Sequence, residues 1–144
     1  MNELQANSMY ITVDTRGVPG TFVSHNVQKY SWANINSQKH WGIFIHSQNW
    51  SGIIYHAVNR SGGWFPEIKP TEDIRASQTL VLLLKLAGVS TSSFGLCDST
   101  LRNVPANGTV SARTGEAFTC RIWVKDVTMA LHDAKLITLT KSIG

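Results

Sequence analysis

The sequence predicts an α+β domain: a small, mostly antiparallel sheet packed on one face by a long helix near the C-terminus. Two observations carry this. The runs His40-Trp41-Gly42-Ile43-Phe44-Ile45-His46 and Gly52-Ile53-Ile54-Tyr55-His56-Ala57-Val58 are rich in β-formers and separated only by Ser47-Gln48-Asn49-Trp50-Ser51, so they read as an antiparallel hairpin. Downstream, Cys120, Trp123, Val124, Val127 and Leu131 recur at helical spacing and form one apolar face. Strands followed by one helix and a last strand is an α+β order.

The elements follow in turn. Residues 1–8 are polar and read as a flexible N-terminal tail, leaving 9–144 as a single domain. Met9-Tyr10-Ile11-Thr12-Val13 reads as a first strand. Arg16-Gly17-Val18-Pro19-Gly20 is a turn cluster. The polar stretch Thr21 to Lys39, with Tyr30 and Trp32, reads as an irregular or short helical connection. After the hairpin, Ser61-Gly62-Gly63 breaks the pattern, and Trp64 to Asp73 reads as a loop or an edge strand because of Pro66 and Pro70. Leu80 to Val89 suits a strand, since Gly88 stops the apolar run before a helix is complete. Ser90 to Gly115, rich in Ser, Thr, Asn and Gly, reads as a long loop with at most a helical turn near Thr100 to Val104. Thr119 is a good N-cap for the helix that begins at Cys120 and fades near Ala134. Leu136-Ile137-Thr138-Leu139-Thr140 reads as a final strand.

Composition narrows the function classes. With 144 residues and 42% hydrophobic content, the chain is long enough for one self-sufficient core. The formal charge is +4, but the basic residues are scattered, which argues for a solvated surface and against a nucleic-acid footprint. The longest apolar run, Leu80 to Leu84, ends at Lys85, far short of the roughly 20 residues of a membrane span. The start of the chain lacks the apolar core of a signal peptide. These features imply a cytoplasmic protein that binds neither nucleic acid nor membrane. Cys97 and Cys120 are then expected as free thiols, with a disulfide between them only in an exported protein. There is no Gly-rich phosphate loop and no paired carboxylate motif, and no cofactor is expected.

Cys120, His40 and His56 carry the chemistry. A cysteine in the first turn of a helix meets unpaired backbone N–H groups and the positive end of the helix dipole, and both favour thiolate. Alternation along a strand puts His40, Gly42, Phe44 and His46 on one face, and Gly52, Ile54 and His56 on one face of its partner. If His46 opposes Gly52, His56 lies one diagonal step from His40. If Phe44 opposes Gly52, the two histidines face each other directly. Both registers bring them within reach; a one-residue slip separates them. A helix packed over that face would complete a nucleophile, base and orienter. His46 is the substitute orienter. Trp50 and Trp64, in loops beside the hairpin, are candidates to line a pocket for an apolar or planar substrate. The competing readings are a buried, unreactive Cys120 and a zinc site from the same three residues, for which no tight ligand spacing exists.

The motif His-Trp-Gly-Ile-Phe-Ile (40–45), then Gly-Ile-Ile-Tyr-His (52–56), then Phe118-Thr119-Cys120-Arg121-Ile122-Trp123 resembles the permuted papain-like superfamily. That superfamily includes the lecithin–retinol acyltransferase-like proteins and the NlpC-type cysteine hydrolases. A group of fungal proteins with a His-Trp strand and a Cys-Arg-aromatic-Trp helix start looks closer still. The resemblance implies a papain-like fold and cysteine-dependent acyl transfer, with Cys120 as nucleophile, His40 as base and His56 as orienter. The substrate class would be an amide, ester or thioester, including small molecules of secondary metabolism. A non-catalytic ligand-binding module and an interaction protein are the alternatives from other classes.

Overall fold

The computed structural model of the chain describes residues 4, 6–14, 23–26, 40–60, 62–76 and 80–137. Among these, six strands and two helices run in the order β1 (Ser8–Asp14), β2 (Val23–Asn26), β3 (His40–Gln48), β4 (Ser51–Arg60), β5 (Gly63–Thr71), β6 (Leu80–Gly88), α1 (Phe94–Asn103) and α2 (Cys120–Asp133). The strands form one sheet in the order β2-β6-β1-β3-β4-β5. All neighbours are antiparallel except β2 and β6. The α+β class expected from the sequence is the one observed.

Alternation along the strands builds two cores. Met9, Ile11 and Val13 of β1, Trp41, Ile43 and Ile45 of β3, and Tyr55 and Ala57 of β4 point to one face. There they meet Cys97 and Leu101 of α1 and Cys120, Trp123, Val124, Val127 and Leu131 of α2. The opposite face holds a smaller cluster of Tyr10, Phe44, Leu80 and Leu83, closed by Leu4, Trp50 and Ile74. β1 is covered on both faces, so Ser8 to Val13 are all buried even though Ser8, Tyr10 and Thr12 alternate with Met9, Ile11 and Val13.

The hairpin has the register in which His46 opposes Gly52. Its two-residue turn, Asn49-Trp50, has φ of 51° and 69°, the left-handed pair that matches the twist of the flanking strands. β5 is the sheet edge, which is why it tolerates Pro66 and Pro70: neither need donate to a further strand.

Four expectations are corrected. The segment read as a long loop contains α1, ten residues long. Phe94, Cys97 and Leu101 give it a helical stripe that its Ser/Thr/Gly-rich surroundings conceal, and Pro105 follows its end. Within the polar connection, Val23–Asn26 is a strand lying parallel to β6; the Arg16–Gly20 cluster, Tyr30 and Trp32 fall outside the described residues. No strand forms at Leu136-Ile137. Lys135 takes φ of 61°, and the Leu136 N–H donates to the Leu131 carbonyl at 3.0 Å, a helix-terminating turn that tucks Ile137 into the core; residues 138–140 lie outside the described residues. The tail over 1–8 is also anchored in part. Leu4 is buried, the Asn7 N–H donates to the Ser47 carbonyl, and the Asn7 carbonyl accepts from Val89 N–H.

Candidate functional site

The site forms where the hairpin opens. β3 and β4 pair from Ile43↔Tyr55 to the turn and no further toward His40. Beyond that point β3 stays with β1, ending at Asp14↔His40, while β4 stays with β5. Into this fork comes the N-terminus of α2. Thr119 caps it: its backbone is extended and its Oγ1 accepts the Ile122 N–H at 3.1 Å. The cap fixes Cys120 as the first helical residue.

The Cys120 side chain is fully buried, and its Sγ accepts the Trp41 amide N–H at 3.4 Å. That amide is the peptide joining Trp41 to His40, so the sulfur lies against the backbone of the residue expected to be its base. Arg121 holds its guanidinium 5.9 Å from the centre of the Trp41 ring, a cation–π contact on the same indole.

From His40 a chain of short hydrogen bonds crosses to the sheet edge. His40 Nε2 and His56 Nδ1 are 2.7 Å apart, with the rings edge to face. His56 Nε2 and Glu67 Oε1 are also 2.7 Å apart. His56 and Glu67 are cross-strand partners in the β4–β5 ladder, so backbone pairing sets their geometry. Gly42 makes room for the chain: a Cβ there would lie 3.1 Å from the His56 Cβ and 2.9 Å from Thr12 Oγ1. Asp14, the β1 partner of His40, has a buried Oδ1 without a hydrogen-bond partner. Burial pushes its carboxyl up to about 6, and Lys69 pulls the other way.

The expectation that α2 covers the histidine face is corrected. The helix packs on the opposite face, against Trp41, Ile43 and Tyr55, because the apolar odd-numbered positions of β3 are the ones that need cover. Cys120 therefore reaches the sheet at the fork between strands rather than across the histidine face.

The two tryptophans do not share a pocket. Trp50 belongs to the turn end of the hairpin, in the smaller core, with the Arg75 guanidinium 4.5 Å above its ring. Trp64 is half-buried and stacks edge-on with Phe118 at 5.0 Å, two residues before Cys120, so it alone neighbours the site. His46 is 2% exposed, and its Nε2 accepts the Trp50 N–H at 3.0 Å. It locks the turn and takes no part in the His40–His56 chain. His132 is exposed. Cys97 and Cys120 are both free thiols, and burial pushes the Cys97 thiol up, which suits an inert core residue.

Two cavities lie elsewhere. One of about 800 Å³ is bordered by Ile45, Ile53, Val89 and Phe94 near the turn end. One of about 410 Å³ is bordered by Val104, Ser111, Phe118 and Asp126. Neither is lined by Cys120, His40 or His56.

Sequence reasoning missed Glu67 and Asp14. The signal for Glu67 was present: Arg60 pairs with Gly63, so reading residues 61–62 as a tight hairpin turn puts Glu67 opposite His56. Asp14 follows β1, and only the sheet order reveals that it abuts His40.

A family model described as a family of unknown function (DUF6540) matches residues 27–138. The chain belongs to this family, and the matched region holds the hairpin, Glu67 and all of α2. No curated protein and no solved structure matches the chain. Among the described residues no helix is long and apolar enough to cross a membrane.

Proposed function

We propose that this protein is a cysteine-dependent acyl-transfer enzyme of the permuted papain-like type. The observation that carries the reading is the contact of Cys120 Sγ with the His40–Trp41 peptide, at the head of a hydrogen-bonded His40–His56 pair. His40 takes the thiol proton. The sulfur attacks the carbonyl carbon of an amide, ester or thioester, forming a C–S bond and a tetrahedral oxyanion. The oxyanion collapses, the leaving group takes the proton back from His40, and an acyl thioester remains on Cys120. Water, an amine or an alcohol then attacks the thioester, its proton going to His40, and the thiol returns. The acceptor decides among hydrolysis, transfer and cyclisation. Trp64 and Phe118, beside the start of α2, offer aromatic surface to a small-molecule substrate.

One observation favours a second reading. The Cys120 side chain is fully buried, as in a binding module in which the thiol is a core residue. Incubation with activated acyl esters followed by peptide mass spectrometry separates the two. An acyl adduct on Cys120 that disappears in Cys120→Ala and His40→Ala supports the enzyme. Cys120 that stays unmodified over a panel of ester, thioester and amide donors contradicts it and leaves the binding module.

A further inference from the structure

We propose that Glu67 is a positioning residue that selects the basic ring nitrogen of His40, acting through His56. The proposal rests on the reading of His40 as base to Cys120, but the property it concerns is a proton position that is measured without any substrate.

An ionised carboxylate only accepts hydrogen bonds. Glu67 Oε1 at 2.7 Å from His56 Nε2, with Lys69 Nζ 3.9 Å away on the same oxygen, therefore holds the His56 proton on Nε2. A neutral imidazole carries one ring proton, so His56 Nδ1 presents a lone pair. His40 Nε2, 2.7 Å from that lone pair, must supply the proton of the second bond. The His40 ring proton is thereby fixed on Nε2, and Nδ1 is left as a lone pair. Nδ1 is the ring nitrogen nearer the main chain, and the Cys120 sulfur lies against the main chain of that residue at the Trp41 N–H. The carboxylate at the edge thus determines that Nδ1, the ring nitrogen nearer the main chain that Cys120 touches, is the one able to accept a proton. In the reverse polarity His40 carries its proton on Nδ1 and its Nε2 is occupied by the proton of His56, so neither nitrogen is open to a further proton.

A solvated glutamate on an edge strand would not be tied to this chain. Glu67 is three-quarters buried, and its pairing with His56 is set by ladder register rather than by a loop. Among the described residues, Lys69 beside Glu67 Oε1 also attracts the carboxylate of Asp14, the β1 partner of His40 at the other end of the chain. Glu72, exposed just past the end of β5, serves as the control.

The test is long-range 1H–15N correlation spectroscopy of 15N-histidine-labelled full-length protein at pH 8. The background is Cys120→Ala, so that no thiol proton reaches His40. With Glu67 intact, His40 and His56 are expected as Nε2–H tautomers. In Glu67→Gln and Glu67→Ala, His40 should shift toward Nδ1–H, whereas Glu72→Gln, at an exposed glutamate just past the same strand, should leave the tautomer in place. With Cys120 restored, Glu67→Gln should slow iodoacetamide labelling of Cys120 about tenfold or more, since a wrongly placed ring proton disables the base. Glu67→Asp should recover part of the rate. An Nδ1–H tautomer of His40 with Glu67 intact, or a tautomer unchanged in both Glu67 variants, overturns the proposal, and the first result needs no variant at position 67 to fold. Failure of the catalytic reading shows separately, as Cys120 labelling that ignores His40→Ala.

Discussion

The two ends of the β3–β4 hairpin use the same residue type in opposite ways. At the turn end, His46 is buried, packs against Phe44 and Tyr10, and gives its ring nitrogen to the backbone of the turn. At the open end, on the same face of the sheet, His40 and His56 bond to each other and to a carboxylate, beside a buried carboxyl group and the cysteine that begins α2. The turn end satisfies its polar groups locally and closes. The open end parts its strands, admits the N-terminus of α2, and accumulates titratable groups. Histidine count alone does not mark a site; what marks it is whether each ring nitrogen bonds to backbone or to another titratable side chain.

Substitutions at the glycines test how rigidly each end is built, and give the largest expected effect. A Cβ on Gly52, at the turn end, would lie 2.0 Å from the Ile45 carbonyl oxygen, so Gly52→Ala should cost about 3 kcal/mol or more in denaturant unfolding. Gly42→Ala, at the open end, meets the Cβ of His56 and Thr12 Oγ1 instead. It should cost less, about 1–3 kcal/mol, and should disturb the His40–His56 bond, visible in the histidine ring resonances. Equal losses at both sites with unmoved resonances would show that the open end is as tightly packed as the turn.

The histidines should then divide by readout. His46→Ala leaves the buried turn N–H of Trp50 without its acceptor and should lose about 2 kcal/mol of stability, with Cys120 labelling unchanged. His56→Ala should reverse the pattern: a small stability change and labelling slowed about tenfold. If His46→Ala slows labelling as strongly as His56→Ala does, the contrast between the two ends fails.

The subtlest expectation concerns Asp14. Its folded carboxyl titrates near 6, above the ordinary 3.8, because burial disfavours the charge. The folded state therefore binds this proton more tightly than the unfolded chain. The associated stability is full below about pH 4, is lost as pH rises through about 6, and is constant above. Asp14→Asn should be more stable than wild type at pH 7, by about 3 kcal/mol at most, with the difference fading toward pH 4. Chemical denaturation at pH 4, 5, 6 and 7 checks this. A variant less stable at pH 7 would mean that the attraction of Lys69 for the ionised Asp14 outweighs the cost of burying it.

What the sequence made legible follows from how local each signal is. The hairpin, its register option with His46 opposite Gly52, the N-cap at Thr119 and the apolar face of α2 are short-range patterns, and the structure carries all of them. The pairing of His40 with His56 followed from strand parity alone. Three things did not follow. The face covered by α2 depends on the competition between the odd and even positions of β3, and Trp41, Ile43 and Ile45 outweigh Phe44 and His46 in apolar surface. α1 was hidden because only Cys97 and Leu101 are buried among polar residues, one of which, Asp98, faces the sheet to accept the Tyr55 hydroxyl at 2.6 Å. Asp14 joined the site through strand order, which no local pattern encodes. Trp50 and Trp64 illustrate the same limit: both flank the hairpin in sequence, yet they lie at its opposite ends.

Whether Cys120 and His40 act as a pair is decided by the pH dependence of iodoacetamide labelling at Cys120, followed by mass spectrometry in wild type and His40→Ala, with Cys97 as the internal reference. If they do, Cys120 labels at pH 6–7 far ahead of Cys97, and His40→Ala slows it on the order of 10²-fold at pH 6. Labelling of Cys120 that matches Cys97, or that is the same in both proteins, would rule out the pair and leave Cys120 as a core residue in a binding protein.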